Sequence, residues 1–502
     1  MLSLKRSLAR IAAGLFCLSF AGVFLAGLLR GELSLGSWWA WALLAVLLLL
    51  WVRHGSRLAA RCTERTFRLL FWGLAALLLA LMLTAGFLLL NDHTVSPFDT
   101  EAVYRTALDL AQGRIPAEYN DYFVTCENNL FCTLLLAAVY RVVYLLGGPL
   151  IPGWGMGLNA VCLWLAALFT ALCAKRVWGR SAALLALLAS FFFLPYYIFT
   201  PFLYTDPMGA PFVAGAILLA VRLEQTWADR ALRARLLGAA ALGAAAAAAG
   251  LMKGSALLLL AAVPLWLWLR SRAICKKQAL LALAAAALGF LAVWSGFKAF
   301  VHHGPLFDFS AYDAYHMPLT HWVMMGLEND GAFNNESFSY SGSYPTVALR
   351  EQAIARRIGS DLRHLTQQPV ALAWLAATKT ATTWLDGSYS CGEAAALAPA
   401  VRTALSEWVL PDGAHYRQTM SFCQSFYLLL WAGAFVSAGR FALGRPSSGR
   451  GFCLLPILCL LGNLCFFLVW ECNARYTFVF SCCLFWLLIG ALTDLAGQDE
   501  TT

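Results

Sequence analysis

NDHTVSPFDTEAVYRTALDLAQGRIPAEYNDYFVTCENN, residues 91–129, separates two apolar stretches of a chain that is otherwise mostly lipid-soluble. It carries seven carboxylates, Asp92, Asp99, Glu101, Asp109, Glu118, Asp121 and Glu127, against two arginines, Arg105 and Arg114. Charge beside a bilayer is costly, and a chain that only has to turn around does so in a few residues. A loop this long, acidic and aromatic therefore reads as the working surface of a membrane enzyme.

Composition supports that setting. Of 502 residues 61% are hydrophobic and 13% charged, against roughly 25% charged in soluble domains. The mean hydropathy is +0.68. The net charge of +9 does not imply a nucleic-acid partner. Its cations fall in short loops between spans: Arg53, Arg57, Arg61, Arg65 and Arg68; Arg222, Arg230, Arg233 and Arg235; Arg270, Arg272, Lys276 and Lys277; Arg440, Arg445 and Arg450. Short basic loops mark the cytoplasmic side. Most of the 15 cysteines sit in apolar runs, where cysteine behaves as a small hydrophobe. Cys126, Cys132, Cys391, Cys423 and Cys472 fall in or near predicted external segments, with room for one disulfide. The basic, then apolar, N-terminus lacks a small-residue cleavage site and predicts a retained first helix.

A span needs about 20 apolar residues. Candidates lie near 10–30, 37–52, 69–90, 130–147, 153–174, 181–198, 207–221, 236–252, 255–269, 279–297, 424–439, 452–470 and 476–495. The expectation is an all-α polytopic membrane protein of about 12–13 transmembrane helices with two large extracytoplasmic loops. Its parts are N-terminal helices (1–90), the acidic loop (91–129), central helices (130–297), a second external loop (298–423) and C-terminal helices (424–502). The N-terminus is expected in the cytoplasm and the active site outside the cell membrane. Three candidates between two external points, 129 and 201, break the alternation, which points to 130–147 as a re-entrant or interfacial helix. Residues 369–387 read as an amphipathic surface helix. No GxxxxGK phosphate loop occurs.

Asp99 follows the helix-breaking Ser96–Pro97 and opens a short amphipathic helix in which Tyr104, Ala107 and Leu108 share a face; helix capping explains it as well as chemistry does. Asp206 sits in the aromatic-rich PYYIFTPFLYTDPMGAPF, at the outer end of a span and on the same face as Asp99. Lys253 and Arg475 fall in outer turns, against the positive-inside trend. Arg475 pairs with Glu471 at i and i+4 or grips an anionic headgroup through its fork. The histidines His302, His303, His316 and His321 have no standard metal-ligand spacing, so no metal site is assigned.

At these residues the chain resembles the polytopic GT-C glycosyltransferases, in the branch of protein O-mannosyltransferases and aminoarabinose transferases. Asp99, Tyr104, Ala107, Leu110 and Gly113 echo its D-x(4)-Y-x(2)-A-x(2)-L-x(2)-G pattern. Asp206 matches a second external Asp, and Glu471, Arg475 and Tyr476 match E-x-x-x-RY before a late span. Two extra helices precede the acidic loop, and Glu127–Asn128–Asn129 replaces the family's H-P-P.

The resemblance implies transfer of a sugar from a polyprenyl-phosphate donor to a hydroxyl of a cell-envelope glycan, lipid or protein, with inversion. Asp99 would be the base, with Asp206 positioning the acceptor or a cation. Arg475 and Lys253 would hold the donor phosphate, and Tyr104, Glu127, Tyr204, His321, Glu471 and Tyr476 would line the substrate. No cofactor is named, and a divalent cation beside the carboxylates is left open. The alternatives are a transporter or flippase of a lipid-linked or anionic solute, which typically shows internal repeats, and a structural scaffold.

Overall fold

A computed structural model describes residues 2–90, 99–270, 276–396, 402–445, 449 and 451–498. Asp92 and the expected helix break at Ser96–Pro97 lie outside the described residues, as do Arg272 and Arg450 of the basic loops. All regular structure among the described residues is helical, with no strand. Lipid imposes this, because backbone polar groups in hydrocarbon must be satisfied within the segment.

Among the described residues ten helices are long and apolar enough to cross a membrane. Three shorter apolar helices, Arg180–Phe191, Gly254–Arg270 and Leu454–Val469, complete the 13 candidates. The chain is a multi-pass integral membrane protein. Its most enclosed helix is the last, Ala474–Leu495, in which Trp486 Nε1 donates to the Thr170 carbonyl at 3.0 Å. The outermost, Lys276–His303, rides on Leu232–Met252. Glycines permit that contact: a Cβ on Gly243 would stand 1.9 Å from the Ala286 oxygen, and one on Gly289 2.0 Å from that of Ala240. Small residues are the usual means of close helix approach in lipid.

Candidate 181–198 divides. Arg180–Phe191 is 12 residues, about 18 Å of rise against a hydrocarbon core of about 30 Å. Beyond it the chain runs through turns and the short helix Pro195–Ile198 to Tyr204. Irregular backbone at such depth persists only inside protein. Asn159, fully buried in the helix Pro152–Trp178, supplies the missing donor: its Nδ2 lies 2.9 Å from the Phe199 carbonyl oxygen and 3.0 Å from those of Thr200 and Phe202. The break delivers Tyr204 and Asp206 to one end of the bundle.

The helix Leu130–Leu145 lies along that same end. At its start Cys132 Sγ is 3.5 Å from Met208 Sδ, in the opening turn of Thr205–Thr226. Eight residues later Tyr140 accepts from the Gly155 amide at 3.1 Å, in the opening turn of Pro152–Trp178. Asn159 ties Pro152–Trp178 to the Phe199–Phe202 carbonyls that lead into Thr205–Thr226. At the opposite end Arg180 pairs with Glu64 at 2.5 Å, at the start of Glu64–Leu88.

Residues beyond His303 fold as short helices over the site end, among them Thr320–Leu327, Asn335–Gly342, Val347–Gln367 and Pro369–Trp384. Two buried cations hold them by capping carbonyls. Arg350 donates to Ser341 (3.0 Å), Ala314 (2.7 Å), Tyr344 (3.0 Å) and His316. Lys379 donates to Gly326 and to Trp470 at 2.9 Å, and burial lowers its ammonium to about 8. No disulfide forms among the described residues: Cys126, Cys132, Cys391, Cys423 and Cys472 are all free thiols. The room for a disulfide read from the sequence is thus unused. Cys391 and Cys423 share a thiol hydrogen bond instead.

Candidate functional site

Four chain segments bring their ends together. Asp99 is the first residue of the helix Asp99–Ala111, and Asp206 lies in the first turn of Thr205–Thr226. Lys253 follows the end of Leu232–Met252, and Glu471 to Tyr476 spans a bend between the last two apolar helices.

Asp206 is completely buried between two cations, Lys253 Nζ at 2.5 Å from Oδ1 and Arg475 Nε at 3.2 Å from Oδ2. The terminal fork of Arg475 has no hydrogen-bond partner among the described residues. Its guanidinium carbon lies 5.8 Å from the Tyr204 ring centre and 5.4 Å from that of Tyr476. Lys253 also sits 4.0 Å from the centre of the Tyr476 ring, an attraction of the ring quadrupole for a cation. Tyr476 donates its hydroxyl to Glu471 Oε1 at 2.9 Å. Burial raises the Glu471 carboxyl and lowers the Lys253 ammonium, with Asp206 opposing the latter change.

Asp99 stands beside this group. Tyr204 donates to its Oδ2 at 2.6 Å, and burial, with the Asp99 charge second, raises the nearby Tyr122 phenol. Asn129 links the two tyrosines, its Nδ2 lying 2.6 Å from the Tyr122 oxygen and 3.2 Å from that of Tyr204. A cleft of ≈ 340 Å³ opens by Asn473 and Ala474, lined also by Glu32, Thr382, Asp386 and Ser390.

Of the ten residues singled out from sequence, Asp99, Tyr204, Asp206, Lys253, Glu471, Arg475 and Tyr476 converge. Three do not. Tyr104 turns inward, 2% exposed, edge-on to Tyr140 at 5.8 Å. His321 is buried under Val347–Gln367 with Nδ1 2.8 Å from the Ser341 hydroxyl. Glu127 forms a separate rim cluster with Lys298, His302 (3.1 Å) and His316 (3.4 Å). Of the two readings of Arg475, the ion pair with Glu471 gives way to one with Asp206. An i,i+4 contact needs an α-helix, and here Asn473 is extended (φ −158°, ψ 147°) before a 3₁₀ turn begins. Sequence reading missed Tyr122, the linking role of Asn129, and Lys298. Their one signal was position, near the end of the acidic loop or of an apolar helix. Among the described residues no group of three or more His, Cys, Asp or Glu side chains is placed to hold a metal ion.

A family model described as "Conserved hypothetical integral membrane protein" matches residues 7–490. No curated protein matches the chain. Among solved structures, the archaeal oligosaccharyltransferase AglB from Archaeoglobus fulgidus, in complex with an inhibitory peptide and a dolichol-phosphate, is similar at a TM-score of 0.43 and 13% identity. That match covers 84% of this chain and 50% of the other, so the chain spans about half the length of that enzyme.

Proposed function

The chain belongs to this family of conserved hypothetical integral membrane proteins, and we propose that it is a membrane glycosyltransferase. It moves a sugar from a polyprenyl-phosphate donor to an acceptor hydroxyl at the extracytoplasmic face. One observation carries the reading. Candidate residues separated by about a hundred and by nearly three hundred positions in sequence meet in space: Tyr204 bonds Asp99 at 2.6 Å, and Arg475 reaches Asp206 at 3.2 Å.

The chemistry follows from this geometry. A half-buried carboxylate, Asp99, accepts the proton of the attacking hydroxyl, which general-base catalysis requires within hydrogen-bond reach. The departing phosphate gains negative charge, and the unfilled fork of Arg475 and the ammonium of Lys253 stabilise it. Asp206 is enclosed and ion-paired, so its part is to orient these two cations rather than to touch the acceptor. Displacement by one base in one step inverts the anomeric carbon. The donor's lipid lies among the helices, and the ≈ 340 Å³ cleft beside Asn473, with its hydroxyl and carboxylate lining, suits a hydroxyl-bearing acceptor. The polar groups gather at one end of the bundle rather than at its middle, which favours an enzyme over a transporter.

The test supplies purified protein with labelled polyprenyl-phosphate sugars and a lipid extract. Wild type should transfer label, and Asp99→Asn, which keeps size but loses basicity, should transfer it about a hundredfold more slowly. Equal turnover by the Asn variant would remove Asp99 from the chemistry, and folded wild type inactive with every donor would end the proposal.

A further inference from the structure

The hydrogen bonds around Asp99 have a direction, and Asn129 sets it. The Asn129 side chain is buried, 1% exposed, with its backbone fixed on both sides. Its amide donates to the Cys126 carbonyl at 3.2 Å, and its carbonyl accepts from the Thr133 hydroxyl at 2.9 Å. The side-chain Oδ1 accepts from Asn128 Nδ2 at 3.0 Å. Asp99 selects between the two amide orientations, because a carboxylate only accepts and Tyr204 gives it its one O–H. The flipped amide would set its oxygen against a phenol oxygen whose proton is already given, with no donor between them.

The NH₂ group of Asn129 consequently faces Tyr122 and Tyr204, and an amide nitrogen only donates. Each phenol oxygen accepts one of its two protons. Each phenol then keeps its own O–H to give elsewhere, and Tyr204 gives its proton to Asp99 Oδ2 at 2.6 Å. Burial, reinforced by the neighbouring Asp99 charge, pushes both phenols well above their usual range, so they remain donors at every working pH. The result is a one-way chain from Asn129 through Tyr204 to the Asp99 carboxylate, with Tyr122 held on the same amide. In a buried setting such chains strengthen one another.

We propose that Asn129 is a positioning residue that aims the Tyr204 proton at Asp99, with Tyr122 seated on the same amide, and so fixes the carboxylate for its work. The inference rests on the reading of Asp99 as the base. Asn129 itself acts through the phenols.

Asn129→Asp reverses the chain, because a carboxylate there accepts the Tyr204 proton and draws it off Asp99. Asn129→Leu, similar in size, leaves it undirected. Two readouts apply. One is the carboxylate stretch of Asp99 in infrared difference spectra, with Asp99→Asn in each background as the blank. The other is kcat and KM for transfer from a short-chain polyprenyl-phosphate sugar. In Asn129→Asp the band should move to that of a carboxylate with fewer donors. The value of kcat should fall about tenfold or more with donor KM held, and Asn129→Leu should fall less. In a Tyr122→Phe/Tyr204→Phe background, either substitution should add nothing to the loss. Where Asn129→Asp fails to fold, Asn129→Leu across the two backgrounds gives the same contrast. An unmoved band, or a penalty undiminished in the double-Phe background, overturns the inference. A protein that transfers no sugar ends the functional reading alone, and the infrared band still decides this one.

Discussion

Asp206 and Glu127 stand at the same end of the bundle, each ringed by cationic or titratable partners, and burial separates them. The Asp206 side chain has no exposure and its partners Lys253 and Arg475 are 15% and 26% exposed, whereas the partners of Glu127 run from 19% for His316 to 36% for Lys298. The first cluster joins the ends of three enclosed segments. Each of its charges depends on the others, because desolvation is offset only by pairing. The second ties the outer helix Lys276–His303 and the segment around His316 to Glu127, whose side chain keeps 9% exposure and whose Lys298 and His302 partners stay open to water. Two groups of similar composition therefore do different work: one fixes the geometry of a site and the other tethers a periphery.

The largest expected effect tests the first half of that contrast. Asp206→Asn leaves Lys253 and Arg475 buried without their anion and should cost about 3–5 kcal/mol, read as thermal unfolding in detergent. Lys253→Met added to it should restore part of the loss. If Asp206→Asn unfolds no more readily than Glu127→Gln, the distinction disappears.

His321 extends the burial argument to pH. Burial first, and the Arg350 charge second, lower it to about 4. It is neutral when folded, and the unfolded chain takes up a proton below about 6.5. Stability is thus full above about pH 6.5 and is lost as pH falls toward 4, by about 3 kcal/mol over that window. Unfolding at pH 7 and pH 4.5 should show the slope in wild type and a flatter one in His321→Gln. A wild type equally stable at both values would contradict it.

A smaller effect separates chemistry from packing within the Asp206 cluster. Arg475→Lys keeps the charge but loses the planar fork, so transfer should slow about tenfold while unfolding stays near wild type. Glu471→Gln should be milder. The reverse order would make Arg475 a structural ion-pair partner and move the phosphate site toward Lys253. The smallest effect belongs to the rim: Glu127→Gln should cost about 1 kcal/mol or less and lose even that in high salt. A loss as large as that of Asp206→Asn would show that the rim is not a tether but part of the core.

Much of this molecule is legible in the chain itself. Hydropathy located every apolar helix, because a lipid-facing segment must be apolar over its whole length and the signal is local. The acidic loop, Asp99, Asp206 and the Glu471–Tyr476 stretch stood out because charges beside apolar runs are rare, and these positions do meet. Tyr104 misled because an amphipathic helix has an inner face as well as a working one, and periodicity does not say which neighbour covers it. The alternative pairing of Arg475 with Glu471 does not form because the spacing rule assumes a helix that Asn473 interrupts.

Composition and local pattern alone determined the class, the helices and the residues to watch. Only the tertiary structure decided who pairs with whom. Asp206 takes Lys253 and Arg475, Glu127 goes to Lys298 and two histidines, and Asn129 serves two tyrosines. These contacts join residues from seven to nearly three hundred positions apart. Their energies depend on burial and on which helix ends share a face, and neither is a property of any one stretch of sequence.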